Sequence, residues 1–369
     1  MKLTLSTQDL LSQLQNVTRI ASTRSAVQAL SGVMLRAAAG ACELMATDVE
    51  VSLQVSIPAE VASEGFAVLP ARLLLEVVRS LTAQTLDIEL RAAENDVEIV
   101  CGGATFHFRT LRAEDFPALP RPAAEGRISL PTQAFVDTVT KVSRSASHDE
   151  TRPVLTGILV SASGQELVMV ATDSYRLSVK RTTLDLPLNG SFEANVPARA
   201  LQELARIAAA ASEAQLSVGV QEGQVVFEAA GAVLSSRLID GQFPNYRQLL
   251  PDSVEHELRL STAELASVVR RISLLAQKNS PLRLRFAEGQ LTVTAQTPDV
   301  GEATESIPVP FQGEPFEIGF NAEFLRDGLE SVETDELVLK LISPVRPGLI
   351  ESPDTSDFIY LIMPIRLTA

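Results

Sequence analysis

Hydrophobic residues alternate with polar ones over several short stretches, which predicts β-strands. Every second side chain between residues 49 and 57 is apolar, a period of two that fits a half-buried strand, and Pro58 is expected to end it. Residues 86–90 and 97–101 show the same period on either side of the turn at 94–96, so they predict an antiparallel hairpin. Further hairpins are predicted at Glu222-Gly223 and Glu288-Gly289.

Other stretches carry apolar residues at the helical period. Ser6 with Asp9 forms a capping box before a first helix over about 7 to 20. Pro70 is expected in the first turn of a second helix, whose apolar face takes positions 73, 74, 77, 78 and 81. Ser261 with Glu264 forms another capping box. Six helices of about four turns, set among antiparallel strands, predict an α+β fold.

The pattern is repeated along the chain. Met45-Ala46-Thr47-Asp48 returns as Val170-Ala171-Thr172-Asp173, 125 residues later, and each copy predicts a buried strand running into an Asp-centred turn. Pro70-Ala71-Arg72 returns as Pro197-Ala198-Arg199, 127 residues later. One fold is therefore used at least twice, and the remaining length fits a third copy. The expected domains are 1–126, 127–253 and 254–369.

Composition narrows the class of protein. At 369 residues, with 46% hydrophobic and 21% charged residues, the chain is too long for one typical core and has no apolar run long enough to span a membrane. The start turns polar too soon for a signal peptide, so we expect a soluble, cytoplasmic protein. Cys42 and Cys101 have no metal-ligand spacing and are expected to be buried, reduced thiols.

The residues indicate no catalytic site, metal site or cofactor. His107, His148 and His256 are scattered, and the chain contains no phosphate-binding glycine loop and no nucleophile elbow. An enzyme is therefore the least favoured class.

The distribution of charge is more informative than the net charge of −15. The six helical segments with their flanks hold 13 Lys and Arg against 11 Asp and Glu, whereas the rest of the chain is strongly acidic. Arg72 and Arg79 lie two turns apart on one helix, and Arg199 and Arg206 repeat that arrangement. A basic helix face kept in both copies suggests a shared surface for a polyanion.

With these repeats in view, the chain resembles the bacterial DNA sliding clamps, the processivity subunit of the replicative DNA polymerase. The resemblance covers essentially the whole chain and rests on residues 171–177, on Asp240-Gly241-Gln242-Phe243-Pro244-Asn245-Tyr246 and on Met363-Pro364-Ile365-Arg366-Leu367. It implies a head-to-tail homodimer closed into a ring of six domains, with twelve helices lining a hole that duplex DNA threads. Twelve helices about 10 Å apart leave a hole of roughly 28 Å, which is wide enough for a duplex.

The resemblance also implies partners: double-stranded DNA bound without sequence preference, the replicative DNA polymerase, an ATP-dependent clamp loader, and repair polymerases, mismatch-repair proteins and ligases. These proteins would bind a groove between the second and third domains, with Arg176 and Arg366 near its polar margins. Carried over residue by residue, the groove comprises Leu155, Thr172, Tyr175, Arg176, Leu177, Pro244, Leu249, Val345, Leu361, Met363, Pro364, Ile365 and Arg366.

This sequence departs from the family pattern near that groove. Ser174 and Tyr175 stand where the family often has Gly and His, and Pro153 replaces an aromatic residue beside Arg152. Thr368-Ala369 extends past the usual terminal Arg-Leu. These departures affect the expected depth of the groove.

Two further surfaces are expected. Residues facing the DNA are expected to be Arg24, Arg72, Arg79, Arg144, Arg152, Arg199 and Arg206. The dimer interface is expected to join Phe106 and Phe108 of one subunit to Ile272, Leu274 and Leu275 of the other. The alternative to a clamp is a monomeric multidomain scaffold that binds proteins and never encircles DNA.

Overall fold

The structure is a computed structural model, and it describes residues 1–120, 126–210, 213–221, 223–251, 253–277, 280–298, 300–353, 355 and 357–367. Part of the first linker, Glu222 of the predicted hairpin turn, and Thr368-Ala369 lie outside the described residues.

Six α-helices lie within the described residues. They are α1 (Thr7–Val17), α2 (Ala71–Ser80), α3 (Thr132–Val142), α4 (Ala198–Ala209), α5 (Thr262–Ile272) and α6 (Ala322–Glu330). Each has 9 to 12 residues, about three turns rather than the four expected. After α3 and α5 the chain enters short 3₁₀ turns, Ser143–Ser145 and Ser273–Leu275, which account for the difference in those two helices.

Eight strands fall in each third of the described chain. The first eight are β1 (Lys2–Ser6), β2 (Gly32–Ala38), β3 (Ala41–Thr47), β4 (Val51–Ser63), β5 (Gly65–Pro70), β6 (Thr85–Arg91), β7 (Asp96–Cys101) and β8 (Ala104–Arg109). The next are β9 (Ile128–Pro131), β10 (Gly157–Ser163), β11 (Glu166–Thr172), β12 (Arg176–Thr183), β13 (Phe192–Pro197), β14 (Gln215–Gln221), β15 (Gln224–Ala229) and β16 (Ala232–Arg237). The last are β17 (His256–Ser261), β18 (Leu282–Ala287), β19 (Gln290–Thr297), β20 (Gly301–Pro308), β21 (Phe316–Phe320), β22 (Glu336–Leu341), β23 (Gly348–Glu351) and β24 (Phe358–Ile362).

Both predicted capping boxes supply helix N-caps. The Ser6 hydroxyl accepts a hydrogen bond from the Asp9 amide at 3.2 Å, and the Ser261 hydroxyl accepts one from the Glu264 amide at 3.3 Å. Pro70 is itself the N-cap of α2 and the last residue of β5, rather than a residue of the first helical turn. Each serine cap satisfies an amide that has no partner inside the helix, whereas Pro70 makes no such side-chain hydrogen bond.

The chain forms two compact units. The first comprises Met1–Gln133 and Glu203–Leu238. Its strands form an antiparallel sheet in the order β8-β7-β6-β1-β4-β16-β15-β14-β9, with β2, β3 and β5 attached beside β4. Strand β4 pairs with β16, so the sheet continues from the first domain into the middle domain.

The second unit comprises Ala134–Gln202 and Ile239–Ala369. Its larger sheet runs β13-β10-β11-β12-β24-β23-β22-β17, and β12 pairs with β24 where the middle and third domains meet. A separate four-stranded sheet runs β20-β19-β18-β21. Helices α5 and α6 pack on each other and cover a core built of Leu, Val, Ile and Phe from both sheets.

Pro58 does not end its strand, contrary to the sequence prediction. Strand β4 continues to Ser63 because it changes partners there: Pro58 pairs with Ala41 of β3, and the next residue pairs with Leu5 of β1. The hairpins β6-β7 and β18-β19 are confirmed.

Cys42 and Cys101 are buried free cysteines on strands β3 and β7, as predicted. Burial raises the pKa of the Cys42 thiol to about 12, which keeps it in the unreactive thiol form. No helix among the described residues is long and apolar enough to cross a membrane.

Candidate partner groove and DNA-facing surface

The duplicated Thr-Asp stretch forms the same turn twice, with matching hydrogen bonds. The Asp48 carboxylate accepts from the amides of Glu50 and Val51, and the Asp173 carboxylate accepts from those of Tyr175 and Arg176. The hydroxyls of Thr47 and Thr172 donate to the backbone carbonyls of Val51 and Arg176, respectively. This confirms the predicted Asp-centred turn, which leads from one buried strand directly into the next.

Backbone geometry explains one departure from the family pattern. Ser174 has a φ of +80°, and Val49 has the same φ in the first copy. This left-handed region strongly favours glycine, so the Gly that the resemblance implies at position 174 would suit the turn. The Ser174 hydroxyl accepts a hydrogen bond from the Arg152 guanidinium at 3.2 Å, which offsets part of the cost of this backbone conformation for a residue other than glycine.

Arg176 is not at a polar margin of the groove, which corrects the sequence expectation. Its side chain is buried, and its guanidinium donates to Asp173 at 3.0 Å and to Asp327 at 2.5 Å while lying 4.3 Å from the ring centroid of Phe324. Arg176 therefore links the turn to helix α6 through its contacts with Asp327 and Phe324.

The floor of the groove is an apolar cluster at the β12-β24 pairing. Leu177 and Leu361 are directly paired across these strands and are both buried. They pack in one cluster with Val170, Val179, Tyr246 and Leu349. Thr172 and Leu155 are buried as well.

The other predicted groove residues include exposed apolar side chains, which form the rim of the predicted groove. Tyr175, Leu249, Val345 and Met363 are 59%, 50%, 65% and 40% exposed, which is high for such groups, and Pro244 is also exposed. The Met363 amide donates to the Tyr175 carbonyl at 2.8 Å, which holds two of these rim residues together. Ile365 donates its amide to the Gly319 carbonyl, so the tail is anchored through residue 365, with Pro364 and Ile365 half-buried and Arg366 exposed.

Sequence reasoning missed two members of the floor. Tyr246 is the last residue of the Asp240–Tyr246 motif, and its side chain is buried. An aromatic ring in that motif was a signal from which the sequence could have nominated it. Leu349 had no sequence signal, because it reaches the cluster only by pairing with Leu361 through β23.

All seven arginines expected to face DNA are exposed. On α2, Arg72 and Arg79 lie away from buried Leu74 and Val78, as the spacing predicted, although Leu73 is exposed rather than on the apolar face. No ion pair is formed by Arg24, Arg72 or Arg79 with another described residue, so these guanidinium groups are available to an anion.

Three others are already paired with carboxylates. Arg144 donates to Glu330 at 2.6 Å, and this bond holds the pKa of that carboxyl below its usual range. Arg152 pairs with Asp149 at 3.1 Å, and Arg206 with Glu203 at 3.0 Å. The charges of Arg144, Arg152 and Arg206 are therefore partly neutralised within the chain itself.

The residues expected at the dimer interface divide into two groups. Phe108 and Ile272 are core side chains of their own units, 4% and 5% exposed. Phe106 and Leu275 are half-buried, and Leu274 is 82% exposed. Leu274, on the 3₁₀ turn after α5, is therefore the most exposed of the five residues, and the interface itself stays a prediction.

Comparison with known proteins identifies the class. The family models of the DNA polymerase III beta subunit match along the chain: the N-terminal domain at residues 1–120, the central domain at 129–245 and the C-terminal domain at 247–366. The chain belongs to this family, the bacterial beta sliding clamps.

Individual relatives cover nearly the full length. The beta sliding clamp of Streptomyces coelicolor is 33% identical over 351 residues, 92% of each chain. The crystal structures of the sliding clamp from Bacillus subtilis and of the DNA polymerase III beta subunit from Pseudomonas aeruginosa superpose with TM-scores of 0.91 and 0.89, at 28% and 27% identity over all of both chains. The protein is thus a three-domain, non-catalytic processivity factor of DNA polymerase III.

Proposed function

We propose that this protein acts as a head-to-tail homodimeric ring that encircles duplex DNA and tethers the replicative polymerase and other replication and repair proteins to it. Family membership along the whole chain carries the proposal. A clamp loader that uses ATP would open and place the ring. The domain boundaries 1–126, 127–253 and 254–369 go with this proposal.

Two sheet edges support a heterologous interface. Strand β8 ends the sheet of the first unit, and β20 ends the four-stranded sheet of the second, and neither has a further strand partner among the described residues. Exposed edges pair readily with other strands, so a monomer would risk aggregation there. Joining β8 of one subunit to β20 of the other, with Leu274 packed beside them, covers both edges and closes the ring after two subunits.

The free arginines support sliding rather than tight binding. Arg24, Arg72 and Arg79 would contact phosphates transiently, and sequence-independent contacts of this kind let a protein move along DNA. The ring holds the DNA by topology, so only weak attraction is needed at its inner surface. The acidic remainder of the chain repels DNA from other faces.

The groove supports the partner assignment. Its buried Leu177-Leu361 floor and exposed Met363, Tyr175 and Val345 suit the two bulky apolar residues of a short peptide. A Gln in the same peptide is what the resemblance to the clamp family implies for its partners. Burying about 200 to 300 Å² of apolar surface contributes about 5 to 8 kcal/mol at 25 cal/mol per Å². Association and ordering costs remove much of this, so micromolar affinity is expected for one peptide.

A ligation trap tests the ring without a clamp loader. The protein is incubated with linear duplex, onto which it can thread from the ends, and DNA ligase then closes the duplex into a circle. Protein should stay on the closed circle in high salt and leave when a restriction enzyme cuts the circle, because only the topological link resists salt.

The same preparation with ligase omitted is the control, and it should lose its protein in high salt at once. Equal rates of loss from closed circles and from linear DNA would rule out encirclement and favour the monomeric scaffold.

A further inference from the structure

The internal repeat produces a second junction with the same backbone geometry as the groove. In the first unit β4 pairs with β16, just as β12 pairs with β24 in the second unit. The duplicated Thr-Asp turn precedes both β4 and β12, at the same distance from each strand. Each subunit therefore carries two related junctions that differ in side chains.

The floor of the junction differs at one cross-strand pair. Leu177 pairs with Leu361 in the groove, and the equivalent positions of the first unit are Ser52 and Ser235, which also pair directly. Both serines are buried, and the Ser52 hydroxyl shares a hydrogen bond with Thr47 at 2.8 Å. An apolar anchor placed here would cover hydroxyl groups instead of leucines.

The rim differs in the same way. In the groove the Met363 amide donates to the Tyr175 carbonyl at 2.8 Å, and in the first unit the Arg237 amide donates to the Glu50 carbonyl at 2.9 Å. This shared hydrogen bond makes Arg237 the counterpart of Met363, and Glu50 the counterpart of Tyr175. Two apolar rim groups are thus replaced by two charged ones.

Other parts of the junction remain suited to an apolar ligand. Leu30, Met45 and Leu119 occupy the repeat positions of Leu155, Val170 and Tyr246. A cavity of about 130 Å³ borders Ser52, Ser235, Glu50 and Arg237. It leaves room for larger side chains at the serine positions.

We propose that the residues at four equivalent positions of the two junctions decide where partner peptides bind. The apolar peptide is excluded from the first junction by Glu50, Ser52, Ser235 and Arg237. It is admitted to the second junction by the residues at the same four positions there, which are Tyr175, Leu177, Leu361 and Met363. This deepens the proposed function and rests on the groove being the peptide site. Each subunit consequently carries one peptide site despite its two related junctions, and partners compete for it.

Exchanging the four residues tests the proposal. The variant Glu50→Tyr, Ser52→Leu, Ser235→Leu, Arg237→Met is titrated with a peptide that carries a Gln and two bulky apolar residues, and isothermal calorimetry gives the peptides bound per subunit. The wild type should bind one and the exchange variant two. Met363→Asp puts a charge on the exposed rim of the groove. When it is added, the number of peptides bound per subunit should fall from one to none in the wild type and from two to one in the exchange variant.

A matched variant with alanine at the same four positions removes the polar groups without adding bulk and should still bind one peptide. The reverse exchange, Tyr175→Glu with Met363→Arg, changes only exposed rim residues, so it should fold normally and bind the peptide at least tenfold more weakly. One peptide bound by a folded exchange variant, or unchanged affinity in the reverse exchange, would overturn the proposal. If Met363→Asp left wild-type binding intact, the groove assignment itself would be wrong.

Discussion

At the scale of single residues, the Thr-Asp turn places a β-branched side chain in an unfavourable backbone conformation. Val49 has a φ of +80° and is 45% exposed, so little packing offsets the strain. Val49→Gly should raise the free energy of unfolding by about 1 kcal/mol, because the left-handed region costs a non-glycine residue about 1 to 2 kcal/mol. Urea denaturation of the two proteins measures the change.

The matched control is Val27→Gly. Val27 is 42% exposed but has an ordinary φ of −85°. There the same substitution should lower the free energy of unfolding by roughly 0.5 to 1 kcal/mol, since glycine adds freedom to the unfolded chain. Equal effects at both positions would show that the turn at Val49 is not strained.

The Arg144-Glu330 pair should make stability depend on pH. The hydrogen bond from Arg144 lowers the pKa of Glu330, so the pair stabilises the folded state above the unfolded pKa of about 4.5 and stops doing so as pH falls through the lower folded pKa. Arg144→Met should cost about 0.5 to 1 kcal/mol at pH 7, the usual range for a partly exposed pair. The difference from the wild type should shrink steadily below pH 4.5.

A double-mutant cycle isolates this pair from the neighbouring Asp327. In a Glu330→Gln background, Arg144→Met should change the free energy of unfolding little at pH 7 and at pH 3. A cost that persisted at pH 3 in the wild-type background would mean that Arg144 stabilises the fold through packing instead.

At the scale of elements, the end of α5 places a core side chain and an exposed one two residues apart. Ile272 is the last helical residue and lies in the core, whereas Leu274, two residues later on the 3₁₀ turn, is almost fully exposed. Leu274→Asp should therefore yield folded monomers at nanomolar concentration, measured by sedimentation velocity, with a nearly unchanged unfolding temperature. The charge would be buried in the interface without a partner.

Ile272→Ala is the contrasting variant. It should lower the free energy of unfolding by about 2 to 5 kcal/mol, since it opens a cavity in the core of the second unit. A Leu274→Asp protein that remained dimeric at nanomolar concentration would move the interface away from this turn.

At the scale of the whole molecule, charge is divided between helices and the remaining surface. Arg72 and Arg79 form no ion pair within the part of the chain that the structure describes, whereas Arg144 pairs with Glu330 and Asp327. Arg72→Gln with Arg79→Gln should weaken binding to linear duplex and reduce the slope of log affinity against log salt by about 1 to 2. Arg144→Gln should reduce it less.

Fluorescence anisotropy of a labelled duplex between 20 and 150 mM salt gives these slopes. Replacing the exposed Arg112, which is paired with Glu114 outside the helices, provides a control that should leave the slope unchanged. A larger effect from Arg144 than from Arg72 and Arg79 together would contradict the assignment of the DNA-facing surface.

Much of the architecture follows from local patterns in the sequence. Period-two alternation, capping boxes and the Thr-Asp repeat are set by neighbouring residues, so they predicted the hairpins, helix starts and turns that the structure contains. The repeat also predicted that one fold is used more than once. Pro58 was misjudged because only the partner strands on either side of it determine whether β4 continues.

Tertiary structure alone decided which apolar and charged residues are available for function. Phe108, Leu274 and Ile272 look alike in a sequence, yet two are buried and one is exposed, because burial depends on contacts between distant elements. Arg176 and Arg72 are both arginines after a strand or turn. Only Arg176 is buried, because it forms an ion pair with Asp327, 151 residues away. The sequence by itself determined the elements and their repetition. Long-range pairing determined the Leu177-Leu361 floor, the arginines that pair with carboxylates and the order of the strands in each sheet.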